Sequence, residues 1–210
     1  MIENKPGWLQ IFAKDFSFHH ALPKDWDKQI IEAVEAHGQN TVLDGNSDTS
    51  LESPGTKIEL RVVMGESVLH ELPWLFDLYE RDFLSFASEA FEKDLIRCSS
   101  DDDAVNINSI KGAKSRYEWH RDTNPVTGLL FVETLAENAG GALVFKKHGE
   151  SFRIHPQRGM FYCFDAREVP HAVEPLQSNL TRTSVPMNFY LSGGNAERDS
   201  KLNEYLRSKS

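Results

Sequence analysis

Cysteine is scarce in this chain: Cys98 and Cys163 are the only two among 210 residues. Two isolated thiols make neither a disulfide framework nor the paired-thiolate spacing of a structural zinc site. Cys163 lies within Phe161-Tyr162-Cys163-Phe164 and reads as a small buried hydrophobe. A basic excess is also missing. The formal net charge is -9, so the chain has no broad positive field to hold nucleic acid or an anionic membrane surface. No apolar run approaches the roughly 20 residues of a membrane helix, and residues 1–7 carry no apolar leader. Internal repeats and low-complexity tracts are absent. These absences point to a cytoplasmic globular protein that binds neither nucleic acid nor membrane. The length and the 40% hydrophobic content fit one domain over 1–210 with a sizeable core.

The chain changes texture near its middle. Leu22-Pro23-Lys24-Asp25 reads as a helix start, followed by Trp26, Ile30, Val34 and His37 at helical spacing and by Gly38 as a stop. Residues 39–56 are rich in Ser, Asp, Asn and Gly and read as a loop, either a lid or a disordered insertion. Ile58, Leu60 and Val62 alternate as on a strand. From Pro73 an apolar stripe of Tyr79, Phe83, Phe86, Ala87 and Ala90 marks a helix packed on a core. Beyond Asp103 come short β segments divided by Gly, Pro and Asn: 104–110, 115–120, 127–135, 142–146, 151–155, 159–164, 170–175 and 181–191. A final helix spans about 195–207, with Leu202, Tyr205 and Leu206 on its apolar side. The expected fold is α+β, with mainly helical support over 1–103 buttressing a jelly-roll core over 104–192.

Within that β half stands His120-Arg121-Asp122, with His171 on a later strand. Alternate residues of an extended chain share a side, so His120 and Asp122 project together and Arg121 away. Two imidazoles and one carboxylate can occupy one face of an octahedral metal and leave positions open, an arrangement suited to ferrous iron. His19, His20, His37, His70, His148 and His155 lie in polar stretches, near helix ends or beside turns, and read as structural or solvated. Further on, Arg182 and Ser184 share one side of a strand. A guanidinium fork grips a carboxylate with two parallel hydrogen bonds, and a hydroxyl two residues along adds another donor.

From about Asn106 to Tyr190 the chain resembles the iron(II)- and 2-oxoglutarate-dependent oxygenases of the prolyl-hydroxylase-like group. The resemblance runs through Trp119-His120-Arg121-Asp122-Thr123-Asn124-Pro125, the apolar segment 128–135, Gly140-Gly141-Ala142-Leu143-Val144-Phe145, Ile154-His155-Pro156-Gln157-Arg158-Gly159, His171-Ala172-Val173 and Arg182-Thr183-Ser184. It implies a double-stranded β-helix in which His120, Asp122 and His171 bind Fe(II). It also implies that Arg182, assisted by Ser184, holds the distal carboxylate of 2-oxoglutarate. Family members often carry a tyrosine on the strand before the first histidine and another after the H-x-D pair. This chain has Asn108 and Thr134 in the similar places, so Asn108 is either a co-substrate donor or a turn residue, and Thr134 is a candidate contact. Asp122 stands where related halogenases have Gly or Ala, which favours hydroxylation.

The implied activity is hydroxylation of an unactivated C–H bond of a small-molecule or amino-acid-like substrate, using dioxygen and releasing succinate and carbon dioxide. Around the metal strand, Arg116, Tyr117, Trp119 and Arg121 are candidate substrate contacts, as are Arg167 and Glu168 before His171. The rival is a cupin-like metal-binding protein without dioxygen chemistry, an isomerase or a binding module, which would keep the triad without needing Arg182.

Overall fold

The computed structural model describes residues 5–198 and 200–207. Residues 1–4, part of the stretch read as lacking a leader, lie outside the described residues, as do 199 and 208–210. The first half runs β1 (Ile11–Asp15), α1 (Trp26–His37), β2 (Gln39–Leu43), β3 (Ile58–Val63), α2 (Gly65–Glu71), α3 (Pro73–Leu78), a π-helical turn (Tyr79–Phe83), α4 (Leu84–Phe91), β4 (Leu95–Arg97) and α5 (Asp101–Ala104). The second half runs β5 (Ile107–Lys111), β6 (Tyr117–His120), β7 (Val126–Phe131), β8 (Leu143–Lys147), β9 (Glu150–Ile154), β10 (Met160–Phe164), β11 (His171–Val173), β12 (Thr181–Leu191) and α6 (Ser200–Leu206).

Two antiparallel sheets face each other. The larger has the order β1-β10-β7-β12-β5-β3-β2, with β4 also on β12, and the smaller has the order β6-β11-β8-β9. From β5 onward the chain passes repeatedly from one sheet to the other, which winds it into the jelly-roll core. Strand β12 shows how sequence sets the layers. Val185, Met187 and Phe189 enter the helix-side core with Ile30, Leu75, Phe76 and Phe83. The alternate residues Arg182, Ser184, Pro186 and Asn188 face the space between the sheets. This is the period of two expected of a strand with different layers on its faces. Gly128, on the neighbouring β7, has no room for a side chain: a Cβ there would come within 2.7 Å of Phe161 and 2.9 Å of Phe189.

The first half supplies the expected helical support and adds strands to the sheet. Four of its strands, β1, β2, β3 and β4, join the larger sheet. The expected loop over 39–56 is in part strand β2, which pairs residue for residue with β3. Its rest is pinned along β6 rather than free as a lid or disordered: Leu51 N donates to Trp119 O at 2.7 Å and Arg121 N to Thr49 O at 3.0 Å. Strand β6 is an edge of the smaller sheet, and this segment satisfies its outward backbone groups. Helix α1 begins at Trp26, because Asp25 sits in the left-handed region (φ 57°) and places Pro23 in the preceding turn. Among the described residues no helix is long and apolar enough to cross a membrane.

Candidate active site

Three elements bring the triad together. His120 ends β6, and His171 begins β11, its direct partner in register. Asp122 lies two residues past the end of β6, where Asp122 N donates to Ala166 O at 3.1 Å and keeps the chain extended. One ligand atom from each of the three side chains falls within 4.8 Å of the others. His120 Nε2 lies 3.3 Å from Asp122 Oδ1, and His171 Nε2 lies 3.7 Å from Asp122 Oδ2.

The far side of each ring fixes its role. His120 Nδ1 is 2.9 Å from Glu118 O, and His171 Nδ1 is 3.1 Å from Val169 O. A carbonyl oxygen only accepts, so each Nδ1 carries the proton and each neutral ring turns its Nε2 lone pair to the centre. Asp122 Oδ2 accepts from the Thr127 hydroxyl, and Asn124 Nδ2 donates to Thr127 Oγ1 at 2.8 Å. Thr127 was not anticipated as a site residue. Its signal was its phase, since it shares with Leu129 and Phe131 the pocket side of β7.

Charge balance follows from burial and proximity. Burial by itself raises the Asp122 carboxyl, but the two imidazoles and Thr127 outweigh it and hold the group well below the usual carboxylate range. Burial opposes a charged His120, yet Asp122 beside it prevails and lifts its pKa above the ordinary histidine value. His171, buried and next to His120, is pushed down to about 4. A metal cation bound between these groups would compete with protonation of His120 Nε2.

Arg182 lies deeper in the same cavity. Its Nε donates to Gly141 O at 2.9 Å and its Nη1 to Ser184 Oγ at 2.9 Å. Gly140 and Gly141 make this possible: both have left-handed φ, and a Cβ on Gly140 would meet Pro175 O at 2.1 Å. The guanidinium rests 5.2 Å from the Phe131 ring centre, and burial lowers its pKa to about 10. Its Nη2 is buried without a partner. Among the described residues it is the one such atom on a side chain lining this cavity. Leaving a buried donor unpaired costs about 1–3 kcal/mol, more when charged. An acceptor from a ligand would recover that cost, so the donor set fits a carboxylate between Arg182 and the triad.

The other expected residues divide. Asn108, the second residue of β5, faces the cavity directly opposite Ser184 and is not in a turn. Thr134 is misplaced as a co-substrate contact: it is exposed beyond the end of β7, and its hydroxyl accepts from Arg158 N at 2.9 Å. Tyr117 lines the cavity, and Arg121 reaches its rim from an exposed position. Trp119 instead packs under the Lys146 ammonium at 4.4 Å, and Arg116 pairs with Glu52. Arg167 and Glu168 are exposed and do not line the cavity. Both cysteines are buried and unpaired.

Comparison with known proteins bears on this geometry. Residues 105–190 match the model of the 2OG-Fe(II) oxygenase superfamily. The fold is similar to a 2OG-Fe(II) oxygenase family oxidoreductase from Burkholderia pseudomallei, with 15% identity over 90% of this chain and 89% of that one and a TM-score of 0.63. A prolyl hydroxylase from Trichoplax adhaerens, solved with a hypoxia inducible factor oxygen degradation domain peptide, gives 14% identity over 89% and 86% and a TM-score of 0.63. The non-heme alpha ketoglutarate dependent epimerase SnoN of nogalamycin biosynthesis gives 9% identity over 88% and 79%, also at 0.63. No curated protein matches the chain. Residues 105–190, which match the model of the 2OG-Fe(II) oxygenase superfamily, carry the whole triad and Arg182, and members of that superfamily use Fe(II) and 2-oxoglutarate.

Proposed function

We propose that this protein is an Fe(II)- and 2-oxoglutarate-dependent dioxygenase that hydroxylates an unactivated C–H bond of a small-molecule or amino-acid-like substrate. The observation that carries the reading is the unpartnered Nη2 of Arg182 in the cavity that also holds the open His120–Asp122–His171 face. A metal-binding protein without dioxygen chemistry has use for the triad but none for a buried, half-satisfied guanidinium.

Bound iron and 2-oxoglutarate supply the oxidising chemistry, with dioxygen consumed and succinate and carbon dioxide released. The residues of this chain orient and shield. His120, Asp122 and His171 hold the metal on one face, and Thr127 and the two backbone carbonyls fix the ligands' angles. Arg182 and Ser184 would hold the far carboxylate of the co-substrate, and Asn108 faces the same cavity and would contact it. Leu129, Leu143 and Phe164 exclude water around it.

An anaerobic titration with Fe(II) and 2-oxoglutarate tests the reading. The expected result is a weak visible charge-transfer band that requires both additions and weakens in Arg182→Lys. Folded protein that never develops the band would overturn it. Incubating the loaded enzyme with a metabolite library in air, and scoring added oxygen and succinate by mass spectrometry, then names the substrate.

A further inference from the structure

Helix α6 lines the same cavity as the triad. Leu202 and Leu206 are its lining residues, across from Leu60, Val62 and Met64. They belong to an apolar cluster built on Leu43, Leu60, Val62 and Tyr205. Polar contacts hold the helix on both flanks. Tyr205 OH donates to Glu118 Oε2 at 2.7 Å and accepts from Gly45 N at 3.0 Å. Asn203 Nδ2 donates to Asp103 Oδ2 at 2.9 Å, and Arg207 pairs with Asp102 and Asp103. The helix thereby closes the gap between two edge strands, touching β2 directly and β6 through Tyr205.

The charged groups Arg198 and Glu118 at this end already have partners. Arg198 Nη1 lies 3.5 Å from Asp103 Oδ1. Glu118 accepts from both Tyr205 and Ser50. Arg121 stands in solvent on the rim. An ammonium or carboxylate entering beneath α6 would lose its hydration and find Glu118 and Arg198 already engaged, whereas an apolar group gains burial.

We propose that the substrate presents an uncharged apolar body to the part of the cavity beneath α6, with Leu202 and Leu206 as specificity-determining contacts. The inference rests on the oxygenase reading above and narrows its substrate from amino-acid-like to apolar. Zwitterionic amino acids are disfavoured, and chain length is measured against α6.

The test uses full-length protein loaded anaerobically with Fe(II) and 2-oxoglutarate. Its probes are primary alkyl amides from butanamide to decanamide, with norvaline and norleucine as zwitterions. Binding is read from the shift of the visible band and, independently, from hydrogen exchange of α6 amides. The expected result is tighter amide binding up to an optimum length and slower α6 exchange. Leu202→Ala and Leu206→Ala should move that optimum to longer chains, changing the preference roughly tenfold. If an alanine variant fails to fold, Leu202→Met and Leu206→Met take its place and should flatten the length preference. Preferential binding of the zwitterions, an optimum unmoved in every folded variant, or no amide binding at all to protein that forms the band would each overturn the proposal. Absence of the band before any probe is added would count instead against the oxygenase reading.

Discussion

The two ends of one cavity handle polarity in opposite ways. At the inner end, Arg182 is buried with one nitrogen left without a partner. At the outer end under α6, Arg198 and Glu118 are matched by Asp103, Tyr205 and Ser50. A protein selected only for stability would leave neither a half-satisfied guanidinium nor a convergent pair of imidazoles and a carboxylate in its interior. The inner end is therefore unfinished until ligands arrive, while the outer end is complete as it stands. Substitutions at the first should cost Fe(II) or 2-oxoglutarate binding and leave stability nearly untouched, and substitutions of the polar contacts at the second should do the reverse.

The sharpest break of that contrast is Asp122→Ala. It removes a ligand and the partner that raises His120, and Fe(II) affinity should fall by more than roughly a hundredfold in anaerobic titration. His148→Ala, at an exposed turn with left-handed φ, should leave affinity unchanged. Equal losses in the two would dissolve the triad. Arg182→Lys comes next. It keeps a charge but loses the fork, so 2-oxoglutarate affinity should drop roughly tenfold to a hundredfold by calorimetry, with Fe(II) affinity intact. A parallel loss of iron would mean that Arg182 supports the fold and not the co-substrate.

Much of this site was legible because the β half obeys its period. Thr181–Leu191 runs as one unbroken strand, so Arg182 and Ser184, two residues apart, share a face, and His120 and Asp122 follow the same rule. The same reasoning failed where local sequence and tertiary role diverge. Gln39–Leu43 is polar at its start because it is an edge strand with only Thr41 and Leu43 buried, so composition alone resembled a loop. Thr134 was one pairing too far along: β7 ends at Phe131, and the residue that serves the metal, Thr127, lies near its start. Nothing local marks the contact of Gly141 O with Arg182 Nε, which depends on a turn 41 residues away.

A smaller effect comes from the support around the ligands. Thr127→Val removes the hydroxyl that orients Asp122, and Fe(II) affinity should fall roughly tenfold, less than for the ligand itself. Proton competition has a defined sign. Because the pKa of His120 lies above the ordinary histidine value, the metal must displace a proton at any pH below it. Affinity should therefore fall by about tenfold per pH unit on the acid side and level off on the alkaline side. A flat profile across that range would show that His120 is already neutral.

The weakest perturbation tests the outer end. Tyr205→Phe keeps the ring among Leu43, Leu60 and Val62 but deletes the hydroxyl between Glu118 and Gly45. Glu118 retains Ser50 as a donor, so the loss is one hydrogen bond to a charged group, about 1.5–3 kcal/mol at most. Part of that falls on α6 alone, whose amides should exchange roughly tenfold faster, while Fe(II) and 2-oxoglutarate affinities stay unchanged. If Tyr205→Phe instead weakened the metal, Glu118 would be transmitting strain through its carbonyl to His120 Nδ1. The two ends of the cavity would then be one coupled unit, and the division between an unfinished inner site and a finished outer wall would fail.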